Sequence, residues 1–413
     1  MAGTAYIVSA VRTPIGKFGG GLADFTAPDL GVVAVRAALE RAFGPPLPVE
    51  RIPGQPSSTS GAKELPWRVD ELIFGNARSA GVGPNPARQI AWRAGLGDDV
   101  PAFTVNMACA SGLRTIVFGW QQIALGEADI VVAGGAESMS RVPYLVEGRW
   151  GFKMGDQPLV DGMYRDGFLC PISKLIMGET AELLADQYKI SREEQDSFAL
   201  ESHHRSARAA AECRFRAELI PIERTGKKGD VIRIEKDEHV RPDVSLEQMA
   251  KLPPVFSKTG TITAGNSSGI TDGAAALVLV SERKLRELKL APLARVVDAA
   301  IAAVDPRVMG VGPVPAVRKL AARTGHKVED YDAVELNEAF AAQVLACDRE
   351  LHFNRETLNP NGGAIALGHP IGCTGARIAT TLLHELRRRK GKCGLATLCV
   401  SGGLGVAVEV ETV

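Results

Sequence analysis

The sequence has no net charge: among its 413 residues, 48 Lys plus Arg balance 48 Asp plus Glu. No global field draws it to nucleic acid or to an anionic membrane, and neither is expected as a partner. It also lacks any run approaching the ~18 apolar residues of a membrane-spanning helix, because Gly, Asp or Arg interrupts the longest stretches. A soluble protein is expected. Residues 1–15 hold no basic segment leading into an apolar core, so export is not indicated and a cytoplasmic location is expected. The seven cysteines (Cys109, Cys170, Cys213, Cys347, Cys373, Cys393, Cys399) are odd in number and never spaced C-x-x-C. That pattern gives no disulfide framework, and reduced thiols are expected. G-x-G-x-x-G, G-x-x-x-x-G-K-[ST] and H-E-x-x-H are all absent. Nicotinamide binding and nucleotide hydrolysis are therefore not indicated, and no metal is expected. Aromatic residues reach only 5 %, while the hydrophobic share of 45 % is ordinary for a globular core.

What the chain has in surplus is glycine, 44 residues or about 11 % against a usual ~7 %. The length suggests about two or three domains. Short β-rich runs alternate with helical patterns throughout, which indicates parallel sheets with crossover helices and an α/β class. Ala5-Tyr6-Ile7-Val8 reads as a first strand, and over residues 31–43 Val32, Val35, Leu39 and Phe43 share one helical face. Residues 44–66 carry six prolines and the run Ser57-Ser58-Thr59-Ser60, which reads as an irregular surface insertion. The two ends of the chain repeat each other: residues 5–11 answer to 294–300, and 128–135 to 393–403. Two copies of one α/β unit follow. Between them residues 140–270 differ in texture, with charged helices such as 191–211 and an irregular stretch 225–243, and read as an inserted domain.

Four segments could carry chemistry. In Val105-Asn106-Met107-Ala108-Cys109-Ala110-Ser111-Gly112 a thiol sits where a β run ends and a helix begins, because Leu113, Val117, Trp120 and Ala124 follow at helical spacing. A helix N-terminus lowers a thiol's pKa and makes it more nucleophilic; a small buried cysteine is the structural alternative. His369 lies in the glycine-rich run 362–375 and is followed by Pro370, a setting that suits a general base or an internally bonded structural histidine. Cys399 precedes Ser401-Gly402-Gly403, a turn whose N–H groups suit an oxyanion hole. Asn337, within Glu335-Leu336-Asn337-Glu338-Ala339-Phe340, could orient a water or cap a helix. Gly265-Asn266-Ser267-Ser268-Gly269 also fits G-x-S-x-G, the nucleophile elbow of α/β-hydrolases, but a hydrolase leaves Cys109 and Cys399 unexplained. His203-His204 falls in a polar helix and reads as solvated.

In this order the segments resemble the thiolases, the acetyl-CoA C-acyltransferases. The likeness covers nearly the whole chain and is carried by residues 105–112, 133–140, 263–273, 337–340, 362–375 and 399–405. It implies a thiolase-like α/β fold: two pseudo-repeated domains, each with a five-stranded mixed sheet, in αβαβα layers, with an inserted loop domain that receives coenzyme A. On that pattern residues 1–139 plus 271–291 form the N-terminal domain, 140–270 the loop domain and 292–413 the C-terminal domain. The resemblance makes Cys109 the nucleophile, His369 the base that activates it, Cys399 a second acid/base and Asn337 the holder of a water. The backbone N–H groups of Cys109 and Ser401 become the oxyanion donors. Ser268, Met177, Phe256, Ala264, Phe168 and Phe340 would line the pantetheine channel and acyl pocket, and Arg224, Lys227, Lys228 and Arg233 would meet the phosphates. Coenzyme A and acyl-CoA are then substrates, with no resident cofactor, and a homodimer or homotetramer is implied. The reaction implied is 3-ketoacyl-CoA thiolysis, as in fatty acid β-oxidation, or its reverse, a Claisen condensation of acetyl-CoA.

The sequence departs from the family's pattern at two positions. Ser401 stands where glycine is usual, so its backbone donor depends on a serine adopting the local angles. Ile176 stands where biosynthetic members have histidine, and Gly372-Cys373-Thr374-Gly375 looks like the degradative subgroup, which together favour cleavage of varied 3-ketoacyl chains. A decarboxylating condensing enzyme of the ketoacyl synthase kind shares the implied fold but pairs its cysteine with two histidines or His and Asn, and Cys399 argues against it. A thiolase-like lipid-binding protein would have lost the thiols that are present here.

Overall fold

The computed structural model describes residues 3–45, 49–54, 65–226 and 228–413. Much of the Pro-rich insertion and Lys227 lie outside the described residues. Nine strands form a continuous sheet in the order Ala333–Leu336, Cys393–Val400, Leu404–Glu411, Ala294–Ala303, Ala5–Arg12, Thr271–Ser281, Ile130–Ser138, Glu71–Gly75 and Ala102–Val105, and the short Gly16–Lys17 pairs with Thr271–Ser281. The middle of that order is a weak seam: Ala5–Arg12 meets Ala294–Ala303 through only Tyr6↔Arg295 and Ile7↔Ala294. The sheet is thus two halves, and the halves repeat. In the first, Glu71–Gly75 runs parallel to both neighbours and Thr271–Ser281 antiparallel to both of its own. In the second, Ala333–Leu336 runs parallel to Cys393–Val400, and Leu404–Glu411 antiparallel to both of its neighbours.

Even an irregularity is copied. The register slips between Ile7 and Ser9 in one strand and between Val296 and Asp298 in the other, which are equivalent positions of the sequence repeat. The second half differs from a five-stranded sheet in one respect, since its counterpart of Ala102–Val105 is reduced to a single parallel bridge, Val334↔Leu358. Asn359 has φ 44° and Pro360 follows it, and neither can extend a strand there.

Helices complete five layers. Ala27–Phe43 and Pro86–Arg93 cover the outer face of the first half, packing Leu30, Val35, Leu39 and Ile90 on Leu72, Phe74 and Val132. Pro313–Thr324 and Ala341–Leu351 cover the second with Val314, Val317, Leu320 and Val344. Between the halves lie Ser111–Leu125 and Ile371–Arg389, whose Leu113, Ile116, Ile378 and Leu382 share one core with Ile7, Leu398 and Val408. Strands buried on both faces read as continuous apolar runs, which is why Ala274-Ala275-Ala276-Leu277-Val278-Leu279-Val280 shows no alternation and is wholly buried.

The glycine surplus acts where the two central helices cross each other and where one of them meets the strand Ile130–Ser138. A Cβ on Gly112 would lie 2.7 Å from Ala376 N, one on Gly375 2.1 Å from Leu113 N, and one on Gly135 2.0 Å from Gly372 O. Backbone meets backbone there, so no side chain fits. The close approach brings two helix N-termini together, with Cys109 just before one and His369 just before the other. Residues 140–270 contribute Met177–Gln187, Arg192–Ala211 and an antiparallel hairpin, Ile222–Thr225 with Val231–Ile234. No helix among the described residues is long and apolar enough to cross a membrane.

Candidate active site

Cys109 follows Ala108, whose φ of 44° is unusual for a residue with a side chain. The strained turn is pinned from both sides. Asn106 Oδ1 accepts the Ala108 N–H at 3.0 Å, while Ser111 Oγ accepts the Met107 N–H at 2.9 Å and donates to Ala108 O at 2.7 Å. Two backbone N–H groups bear on the thiol, those of Ser401 and of Cys109 itself, and they and the Arg78 charge favour the thiolate. Desolvation is the larger influence and holds the thiol's pKa above its ordinary value.

His369 is buried, and burial, aided by Arg377 and Arg78, pushes its pKa down to about 3, so the imidazole is neutral at rest. Its tautomer follows from Thr374, whose hydroxyl lies 3.0 Å from Pro370 O and 2.6 Å from His369 Nδ1. That hydroxyl has one proton; donating it to Pro370 O, it accepts from Nδ1–H and leaves Nε2 with a free lone pair. Nε2 has no partner among the described residues. His369 and Cys109 line the same cavity, of about 360 Å³.

Both carboxylates of the Glu335–Phe340 segment brace this region. Glu338 takes the Ser202 hydroxyl at 2.6 Å, Asn359 Nδ2 at 2.9 Å and the Ile365 N–H at 3.2 Å, which anchors the run leading to His369. Glu335 lies 3.3 Å from Arg377, and burial pushes its pKa up to about 8. On the Cys109 side, Glu137 accepts from Asn76 Nδ2 and from the N–H groups of Ala77, Arg78 and Gly372 at 2.8 to 3.1 Å, tying the end of Glu71–Gly75 to the start of Ile371–Arg389.

Of the residues singled out from sequence, Cys109, His369, Ser401, Ser268, Met177, Phe256, Ala264, Phe168 and Phe340 are on the cavity wall. Cys399 and Asn337 are fully buried behind it. Cys399 packs with Met177, Met309, Ala339 and Phe340; burial first, then the neighbouring Cys109, raises its pKa well above an ordinary thiol's. Asn337 caps nothing, because the helix Ala341–Leu351 begins after Phe340. Its Nδ2 and Oδ1 both lack partners among the described residues. A buried amide with four unmet bonds calls for a water. Ser401 is absent from the positive-φ residues, whereas Gly402 and Gly403 have φ 90° and 83°, so the turn's left-handed demand falls on the glycines and a serine is tolerated at 401.

Several readings change. The G-x-S-x-G match is no elbow: Ser267 Oγ donates to Thr263 O at 2.7 Å, and the segment is loop leading into Thr271–Ser281. His203 is buried, not solvated. Its Nδ1 accepts the Arg241 N–H at 3.1 Å, its ring stacks on His239 at 6.4 Å, and burial pushes its pKa down to about 4. The hairpin cations form no joint patch, since the register puts Arg224 opposite Ile232 and Arg233 opposite Glu223, on different faces, and they pair with Asp24 and Glu235. Sequence reasoning missed Thr374, Arg78, His239, Arg241 and Tyr164, the last four of which line the cavity. Only the tight spacing of Thr374 after His369 gave any signal.

One cluster has metal-ligand character. His326, Cys393 and Glu409 bring their ligand atoms within 4.8 Å of one another. Its carboxylate is bonded within the protein: Glu409 takes His326 Nδ1 at 2.7 Å, the Tyr331 hydroxyl at 2.7 Å and the Thr324 hydroxyl at 3.1 Å. Cys393 and Cys399 are six residues apart on one strand, about 20 Å, so the cluster lies away from the cavity.

Comparison with known proteins agrees with the architecture. Residues 61–283 match the thiolase N-terminal domain and residues 290–412 the thiolase C-terminal domain. The chain is 48 % identical to an acetyl-CoA acetyltransferase of Chromobacterium violaceum over 406 residues, 98 % of each chain. Among solved structures it is similar to human mitochondrial 3-ketoacyl-CoA thiolase (43 % identity, TM-score 0.91, 100 % of this chain and 99 % of that one) and to the same human enzyme in complex with CoA (42 %, 0.91, the same coverage). With its doubled sheet, its paired central helices and matches across both domains, the chain belongs to the thiolase family and is an acyltransferase.

Proposed function

We propose that this enzyme cleaves 3-ketoacyl-CoA by thiolysis, carrying the acyl group on Cys109. The observation that carries the reading is the thiol of Cys109 on a cavity wall, with two N–H donors bearing on it and His369 presenting a free Nε2 to the same cavity. Burial penalises a lone thiolate and a lone imidazolium, so proton transfer from Cys109 to His369 is favoured only as a pair, when substrate closes the site. The thiolate attacks C3 of the substrate, and the N–H groups of Cys109 and Ser401 take the developing oxyanion. The C2–C3 bond then breaks with its electron pair on C2. His369 and a water on Asn337 hold the enolate oxygen, and Cys399, protonated in its buried setting, delivers the proton that makes acetyl-CoA. Coenzyme A collects the acyl group from Cys109. The condensing direction runs the same steps backwards.

The apolar Ile176 on the cavity wall supports chain cleavage over dedicated acetoacetyl-CoA synthesis. No resident cofactor is invoked, since side chains and backbone N–H groups supply every step. Exposed Arg241 on the wall is better placed for the phosphates of coenzyme A than the hairpin cations. A homodimer or homotetramer is supported by apolar side chains left in solvent at Trp150, Phe152, Met154 and Leu159. Seven free cysteines support a reducing, cytoplasmic compartment. The test is coenzyme A-dependent cleavage of acetoacetyl-CoA by a Cys109→Ala variant. Turnover is expected to vanish; substantial residual turnover would sink the assignment.

A further inference from the structure

Arg78 makes no bond in these steps, but its charge bears on Cys109 and it stands on the cavity wall beside that nucleophile. It follows the strand Glu71–Gly75 and is only 6 % exposed. Its Nε has no partner, its Nη1 donates to the neutral carbonyl of Asp166 at 3.2 Å, and its guanidinium carbon lies 5.8 Å from the centre of the Phe168 ring. It forms no ion pair among the described residues: the Asp166 carboxylate lies 3.9 Å from Arg165 instead, and the oxygens of Glu137 are taken by four N–H donors. Desolvation is the larger influence and lowers its hold on its proton, against the more distant charges of Glu137 and Asp166. A buried cation with no carboxylate at ion-pair distance is costly, and a planar guanidinium is suited to a carboxylate held by two parallel hydrogen bonds.

The apolar wall divides around the two thiols. Met177, Met309, Phe256 and Phe340 pack with Cys399, whereas Met139, Ile371 and Phe168 pack with Cys109 in one cluster with the buried Ala77 and Met163. An acyl chain retained on Cys109 lies along the second set, and Arg78, adjacent to Ala77 and facing Phe168, belongs to it. We propose that Arg78 is the receptor for a carboxylate at the far end of the acyl chain, so that the preferred substrates are 3-oxodicarboxylyl-CoA thioesters. This rests on the Cys109 reading above. Thiolysis of 3-oxohexanedioyl-CoA then places a butanedioyl group on Cys109 as C2–C3 breaks, protonates C2 to give acetyl-CoA, and transfers the butanedioyl group to the thiol of coenzyme A.

The experiment compares kcat/KM for 3-oxohexanedioyl-CoA and methyl-ended 3-oxohexanoyl-CoA in the wild type and in Arg78→Leu. The wild type is expected to favour the carboxylate-ended substrate by about tenfold or more. Arg78→Leu also withdraws a charge that favours the Cys109 thiolate, so it is expected to lose activity on both substrates, but about 100-fold more on the carboxylate-ended one, as for a lost charged hydrogen bond. Equal rates in the wild type, or an equal loss on both substrates, would overturn the proposal. Acylation of wild-type Cys109 by butanedioyl-CoA and by butanoyl-CoA, followed by peptide mass spectrometry, needs no variant: faster labelling by the diacid supports the proposal, and equal or slower labelling overturns it. If neither substrate is cleaved and neither thioester labels Cys109, the Cys109 reading itself fails and takes this proposal with it.

Discussion

Gly375→Ala tests the claim that glycine, by letting two helices touch, sets the position of the nucleophile against its base. The added Cβ would lie 2.1 Å from Leu113 N and 2.6 Å from Leu113 Cβ. Ordinary contact begins near 3.4 Å, so the helices must part by 3.4 − 2.1, or about 1.3 Å, and the obstacle is backbone that no rotamer can clear. Overpacking a core costs about 1–3 kcal/mol, and the upper end applies here. Alanine's better helix propensity returns about 1 kcal/mol, leaving a net loss of about 2 kcal/mol. Catalysis should suffer more, because a 1 Å misplacement of reacting groups costs on the order of 100-fold in rate. Gly119→Ala is the control: its Cβ meets only side-chain atoms, Val131 Cγ1 at 3.1 Å and Leu279 Cδ2 at 3.4 Å, and the propensity gain should leave it within about 1 kcal/mol of the wild type. Urea melts give the stability and acetoacetyl-CoA thiolysis gives kcat. A Gly375→Ala protein as stable and as active as Gly119→Ala would refute the reasoning.

Asn337→Ala should lower kcat by about 100-fold with little change in KM, because it removes the support of one oxyanion donor. It should cost little stability beyond the small cavity, since neither side-chain polar atom of Asn337 has a partner among the described residues to lose. Ser401→Gly should keep activity within about twofold, because the position does not need a left-handed backbone. Acid should destabilise the fold through His203 and His369, whose pKa values fall to about 4 and about 3 on burial. The unfolded chain binds these protons below about pH 6.5 and the folded one does not, so their contribution is intact above 6.5 and is lost as pH falls toward 4 and 3. Between pH 7 and 5 each withdraws about 2 kcal/mol, and urea melts of His203→Gln at the two pH values should show that share removed.

Much of this was legible in the sequence because collinear chemistry leaves short, rigid signatures. The strand-to-helix step before Cys109, the proline after His369 and the glycines after Cys399 each mark a local backbone requirement, and the two-fold repeat matched down to a shared register slip. What escaped were facts decided by tertiary packing. His203 looked solvated because its helix is polar in sequence, yet His239 and Arg241 from a distant loop close over it. The glycine surplus showed in the composition, but that Gly112 and Gly135 each meet Gly372, 260 and 237 residues further along, is decided by packing. Arg78 gave no signal, since a single arginine after a strand is ordinary until its burial and its unpartnered Nε among the described residues are seen.

The central claim is that the acyl group rests on Cys109. Incubation of the wild-type enzyme with acetyl-CoA, a rapid acid quench and peptide mass spectrometry test it directly. The account predicts a single acetyl thioester on the peptide containing Cys109, released by added coenzyme A. An acetyl group on Cys399 or Ser267, or none on any residue while turnover proceeds, would contradict it.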